Sequence, residues 1–277
     1  MTVSPNSDQA RTTPLRSLAR SAVRIVGIII ALVSIGYVGR AIVQNQIWQT
    51  NTASLTQIIG VAILGGSVYA VINVILSGGW WQILVNQGVV TPFRQSHRIY
   101  SRSQIAKYIP GNVFHYGSRH VLGTMAGIGQ ANLIASAALE ANRMIVAAVL
   151  LSALGLRNWA VAVGVPAWFL VMVGIATVAA GIVIDGFVMR RIRKTSIAEW
   201  LETLKGMAAL VGLYLAFFAA CGLILWGIAW VVLGDSASLS VRAAMAAYAA
   251  AWVVGFVVPG ASAGIGVRET LLIVGLT

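Results

Sequence analysis

A chain of 277 residues with 58% hydrophobic and only 9% charged side chains is excluded from the soluble globular class, where the shares run at about 45–50% and about 25%. Nineteen basic residues against seven acidic ones would suit nucleic acid in a soluble protein. Here the basic residues collect in alternate connections between apolar stretches, which excludes nucleic acid as the partner and makes the charge a matter of membrane topology.

Residues 1–20, rich in Ser, Thr, Pro, Asn and Asp, read as a disordered cytoplasmic tail. The first apolar stretch, 22–43, follows Arg11, Arg16 and Arg20 and has Arg24 at its start; it is long and has no small-x-small cleavage site after it, so it reads as a retained helix rather than a secretory signal. A second stretch covers 53–77. A polar segment follows, 86–120, in which Arg94, Arg98 and Arg102 recur at four-residue spacing and share one helical face. That pattern fits an interfacial helix on the bilayer or a solvated cytoplasmic loop. His115 and His120 lie five apart, which does not stack them on one face; they read as interfacial histidines and not as a metal site.

Further stretches of spanning length cover 131–156, 159–184 and 207–233, and a shorter one 243–258. The fold class is therefore an all-α polytopic membrane protein of about six to seven transmembrane helices, with one or two segments broken at Pro-Gly or re-entrant. Lys107 and Arg119 add to the basic 86–120 connection, and Arg190, Arg191, Arg193, Lys194 and Lys205 mark the connection before the fifth stretch, whereas the alternate connections carry only Arg40, Arg157 and Arg242. The N-terminus and the basic connections are thereby predicted to be cytoplasmic, with 44–52 and 234–241 facing outward. Cys221 lies alone in an apolar run and can form no intramolecular disulfide.

Two segments, YIPGNVFHYGSR at 108–119 and VVPGASAGIGVR at 257–268, hold the chain's two Pro-Gly pairs, each followed after seven residues by an arginine. Pro-Gly ends a helix and redirects the chain, and non-helical backbone at membrane depth has to be buried by protein or line a wet cavity. The breaks at Pro110-Gly111 and Pro259-Gly260 are predicted to expose backbone donors around such a cavity, Gly264 and Gly266 let that backbone approach closely, and Arg119 and Arg268 converge on it. Lys107 and Tyr108 are placed at its cytoplasmic mouth. Charges inside the apolar stretches cost several kcal/mol if unpaired, which singles out Glu140 with Arg143, three apart, and Arg268 with Glu269. Glu140 and Arg143 either neutralise one another and fix helix packing, or the acid orients an arginine whose other donors face the cavity. Arginine suits a phosphate through its planar, permanently charged fork. An anionic headgroup with apolar tails would satisfy such a site.

SQIAKYIPGNV at 103–113, LEANR at 139–143 and PGASAGIGVRE at 259–269 together resemble the transmembrane region of the lysylphosphatidylglycerol synthase family, a flippase-like membrane domain. The resemblance implies one such domain over 21–277, moving phospholipids or lipid-linked saccharides between the leaflets of the cytoplasmic membrane. Family members continue through further helices where this chain ends at Thr277 in an apolar run, which implies C-terminal truncation. The expected partners are the bilayer, an anionic phospholipid or polyprenyl-phosphate-linked saccharide, and envelope-synthesis enzymes; no catalytic residue, metal or cofactor is expected. Two other functions compete. A polyprenyl-phosphate-dependent glycosyltransferase needs carboxylates near the outer face, where the loop Gln44 to Thr52 has none and Asp235 stands alone. A non-transporting subunit of an envelope-glycan synthase needs no chemistry of its own.

Overall fold

The computed structural model describes residues 54–108, 114–155, 166–192, 197–233 and 240–257, and every element among them is helical. They are α1 (Leu55–Asn86), α2 (Phe93–Gln104) with a single 3-10 turn after it (Ile105–Tyr108), α3 (Phe114–Met125), α4 (Gln130–Gly155), α5 (Ala167–Ile192), α6 (Ile197–Leu233) and α7 (Val241–Val257). Within α1, α4, α5 and α6 lie stretches long and apolar enough to cross a membrane; the apolar part of α7, Val241–Phe256, is shorter. The expected first span and everything after residue 257, including the second Pro-Gly, lie outside the described residues, as do Pro110 and Gly111.

Local chemistry sets the helix ends. Ser54 caps α1: its Oγ accepts from the Gln57 amide while the Gln57 side chain accepts from the Ser54 amide at 2.8 Å, a reciprocal capping box. The same helix stops at Gly88, whose φ of 83° only glycine adopts freely; the Gly88 amide donates to the Val85 carbonyl at 2.8 Å and the Val89 amide to that of Leu84 at 3.0 Å. Gly127 ends α3 in the same way, with Ile128 donating back to Gly123 at 3.0 Å. Pro92 then fixes the N-cap of α2.

Three spans differ in extent from their predicted ranges. The stretch expected to stop at Ser77 runs on through Gly78 and Gly79 to Asn86, with α2 and α6 against those glycines: a Cβ on Gly78 would sit 3.9 Å from the Phe93 ring, and one on Gly79 3.3 Å from the Tyr214 hydroxyl and 3.5 Å from Leu210. The stretch expected at 159–184 is shifted to Ala167–Ile192, starting just after Pro166, which serves a helix as a start and not as an interior residue. The fifth begins ten residues early, at Ile197; α6 has 37 residues, about 55 Å, longer than the apolar bilayer thickness of about 30 Å.

The core gathers on α4, which packs against α5, α6 and α7 on its long sides and against α1 and α3. Between apolar helices in lipid the hydrophobic effect gives no preference for contact, so association rests on close van der Waals approach, which small side chains permit. Cβ atoms built on Gly155 and Gly222 would fall 2.3 Å from the Ala246 Cβ and the Met245 Cα, so α7 lies hard against both α4 and α6. On α7 itself Ala244, Ala246, Ala247, Ala249 and Ala251 are buried. Helix α2 is amphipathic as its spacing suggested, with Arg94, Arg98 and Arg102 exposed and Ser96, Ile99, Tyr100 and Ser103 turned into the protein.

Two glycines on α6 therefore behave oppositely. Gly222→Ala meets backbone and is expected to destabilise the protein by about 1–3 kcal/mol, as overpacking does. Gly212→Ala meets nothing within 4 Å and is expected to stabilise the helix by up to about 1 kcal/mol. Unfolding midpoints of both variants in one detergent test the contrast; equal shifts would remove the close α6–α7 contact.

Candidate functional site

Helix α4 carries its charges on one turn, where Glu140 and Arg143 are buried together with Asn142. Each buried charge needs an opposite charge and hydrogen bonds on its remaining lone pairs or protons, since desolvation otherwise costs several kcal/mol. The expected pairing of Glu140 with Arg143 is not the one formed. Glu140 receives Arg119 Nη1 from α3 and the Tyr100 hydroxyl from α2 at 3.0 Å. Arg143 donates through Nε to Asp185 Oδ2 on α5 at 2.7 Å, and Asn142 Nδ2 donates to Asp185 Oδ1 at 2.7 Å and to the Gly181 carbonyl at 2.9 Å. The reason lies in the neighbours. Residues three apart share a face of α4, but α3 and α5 each deliver an opposite charge, and each carboxylate then accepts from two donors. None of Arg119, Glu140, Arg143 and Asp185 is more than 3% exposed.

Arg119 is held by more than its carboxylate. Its guanidinium carbon lies 4.1 Å from the centroid of the Tyr100 ring, 5.1 Å from that of Trp80 and 5.5 Å from that of Tyr116, an aromatic enclosure for a delocalised cation. Trp80 is fixed in turn by its indole N–H, which donates to Ser136 Oγ on α4 at 3.1 Å. Burial pushes the Tyr100 hydroxyl well above its ordinary pKa and the Glu140 carboxylate adds to the shift, so this group stays protonated and donates. Arg143 Nη1 and the Tyr214 hydroxyl of α6 are buried without a hydrogen-bond partner.

Of the residues singled out in the sequence, Arg119, Glu140 and Arg143 are brought together. Arg119 neither snorkels to the surface nor stands free in a cavity; it is enclosed and neutralised by Glu140. Lys107 and Tyr108 lie in the 3-10 turn after α2, with Lys107 half-buried. Pro110, Gly111, Pro259, Gly260, Gly264, Gly266, Arg268 and Glu269 fall outside the described residues, and with them the expected convergence of Arg119 and Arg268. His115, expected at the interface, is buried on α3 with its ring 3.9 Å from that of Tyr116.

Sequence reasoning missed Asp185, Asn142, Tyr100, Trp80 and Tyr214. For Asp185 the signal was present: it is the sole acid in the apolar run GIVIDGFVM, but a span drawn to end at residue 184 left it in the next connection. Compared with protein-family models, with curated proteins and with solved structures, the chain finds no match. What the site does is therefore argued from its own residues.

The pairing yields a double-mutant test. Glu140→Gln strands Arg119 and is expected to cost about 3–5 kcal/mol; adding Arg119→Gln removes the stranded charge and should recover part of that loss. Combining Glu140→Gln with Arg143→Gln strands Arg119 and Asp185 together and should recover nothing. Unfolding free energies of the three variants decide; recovery only in the Glu140–Arg143 combination would restore the pair read from spacing.

Proposed function

We propose that this protein is a flippase or transporter that moves an anionic phospholipid or a lipid-linked saccharide between the leaflets of the cytoplasmic membrane. The observation that carries the reading is the pair of arginine–carboxylate contacts buried on one turn of α4, tied to α3 on one side and to α5 on the other. Apolar packing would hold a bundle as well as buried ion pairs do, because desolvation offsets most of their attraction. Ionisable groups kept inside a membrane domain belong to pathways for polar cargo. Arginine also suits a phosphodiester, and Arg119 is oriented in advance by three aromatic rings.

The cargo contributes a headgroup phosphate that competes with Glu140 for Arg119, while its tails stay in lipid. The exposed arginines of α2 add attraction for anionic headgroups at the cytoplasmic face. In this reading the N-terminus and the connection from 186 to 206 are cytoplasmic. Cysteines placed at Asn51 and Ser238 should then react with an impermeant thiol reagent in intact cells, and protection of both would reverse the orientation.

Transport is tested in phosphatidylcholine liposomes containing the purified chain and either fluorescent phosphatidylglycerol or a fluorescent polyprenyl phosphate. Dithionite, which quenches only the outer leaflet, should consume nearly all of one probe, against about half in protein-free vesicles. Arg119→Lys should slow that process at least tenfold, since lysine keeps the charge and loses the fork. Quenching that stops at the protein-free level with both probes would leave a non-transporting membrane subunit as the reading.

A further inference from the structure

Full satisfaction of buried polar atoms is the rule in a protein interior, and the exceptions mark places built for something absent from the resting structure. Glu140 and Asp185 each accept from two donors, and Trp80, Tyr100 and Asn142 each have an acceptor. The exceptions in this layer are Arg143 Nη1 and the Tyr214 hydroxyl. Tyr214 is fully buried, and Arg143 is 2% exposed. Helix α6 packs on α4, Gly79 of α1 lies against the Tyr214 hydroxyl, and the next residue, Trp80, reaches Ser136 of α4 and the Arg119–Glu140 pair, one turn before Arg143. On the far side Gly79 leaves that hydroxyl room that a Cβ would crowd, at 3.3 Å.

Both groups are donors: a guanidinium N–H has no acceptor capacity, and a phenol offers its proton to an oxyanion. We infer that Arg143 Nη1 and the Tyr214 hydroxyl form an internal oxyanion site that takes the oxygens of a phosphate group, with Asp185 and Asn142 as positioning residues that fix the guanidinium through its other edge.

The design has a functional consequence. Arg143 is anchored to Asp185 through Nε, so Nη1 is presented without rearrangement, and a rigid fork loses little entropy on binding. The two arginines are matched by two carboxylates, so the layer is neutral and an incoming anion meets moderate attraction rather than a deep trap. A carrier needs binding favourable enough to load and weak enough to release. The site differs from the Arg119 enclosure, whose cation is already engaged by Glu140.

This inference rests on the reading of the chain as a carrier of anionic lipid, but binding can be measured apart from transport. Titration calorimetry on the full-length chain in maltoside micelles, which contain no phosphate, uses two probes: short-chain phosphatidylglycerol and inorganic phosphate. The wild type is expected to bind the phosphatidylglycerol, and Tyr214→Phe to bind it about tenfold more weakly, the effect of one hydrogen bond to a charged group. The unfolding midpoint of Tyr214→Phe should stay level or rise, because the hydroxyl removed has no partner in the resting fold. Arg143→Lys should weaken binding at least as much, since one ammonium does not reproduce both arms of the fork. If inorganic phosphate binds as well, with the same loss in Tyr214→Phe, the site accepts free phosphate and headgroups alike; if the lipid alone binds, it is a headgroup site; both results support the assignment. No binding of either probe by the wild type, or undiminished binding by Tyr214→Phe, overturns it. Binding that depends on Tyr214 without any transport in liposomes would keep the site and remove the flippase reading; transport with undiminished binding in Tyr214→Phe would do the reverse.

Discussion

Everything around the centre of this bundle depends on neutralising four charges without water. In an interior of low dielectric an isolated guanidinium or carboxylate is too costly to persist, so Arg119, Glu140, Arg143 and Asp185 dictate where three helices sit relative to one another. Helix α4 supplies one charge of each sign on a single turn. It therefore cannot slide along either neighbour without breaking a pair, and a displacement of about 1.5 Å, one residue of rise, would already exceed the tolerance of a 2.7 Å contact. The ion pairs act as register pins between α3, α4 and α5, a role that apolar contacts, which are non-directional, fill poorly.

The rest of the packing allows that registration to be satisfied. Gly181 and Asn142 show how the two demands meet: the glycine lets α5 approach α4 closely, with a Cβ there falling 2.7 Å from Val146, and its carbonyl accepts from Asn142. The same amide reaches Asp185, one helical turn on. Close approach thus brings the acid within range of Arg143, and a bulkier residue at 181 would weaken the ion pair through separation alone. On the opposite side Gly123 does the same for α3, where a Cβ would fall 2.5 Å from Leu133 of α4. Small residues set helix spacing, and spacing sets which charges meet.

Much of this was legible in the sequence and some was not, for definite reasons. Long apolar runs declare helices in a membrane because no other open structure satisfies its backbone there, so the existence of α1, α4, α5 and α6 followed from composition. Their ends were less legible: Gly78 and Gly79 resembled a stop and instead marked the approach of α2 and α6. Glu140 and Arg143 stood out as charges in an apolar run, and Arg119 as a cation beyond a helix break. Which charge meets which was not legible, because spacing along one helix reports who shares a face, while pairing is decided by what the neighbouring helices bring. Asp185 was hidden because the expected span stopped one residue before it, whereas the helix runs on to Ile192, and Tyr214 by looking like any aromatic residue in an apolar helix.

Satisfaction in the charged layer is uneven, and the unevenness has a direction. On the α3 side the carboxylate, the phenol and the guanidinium engage one another, and the rings of Trp80, Tyr100 and Tyr116 surround the cation. On the α5 side both oxygens of Asp185 are taken, yet Arg143 uses Nε for that contact and leaves Nη1 directed elsewhere. A buried donor without an acceptor costs more than a hydrogen bond returns, so a bundle needing only cohesion would be as well served by apolar side chains at both 143 and 185. Helix α6 contributes a second unpartnered donor, the Tyr214 hydroxyl, against which Gly79 of α1 lies. Arg143 Nη1 and the Tyr214 hydroxyl are the two donors that the oxygens of the proposed phosphate would satisfy.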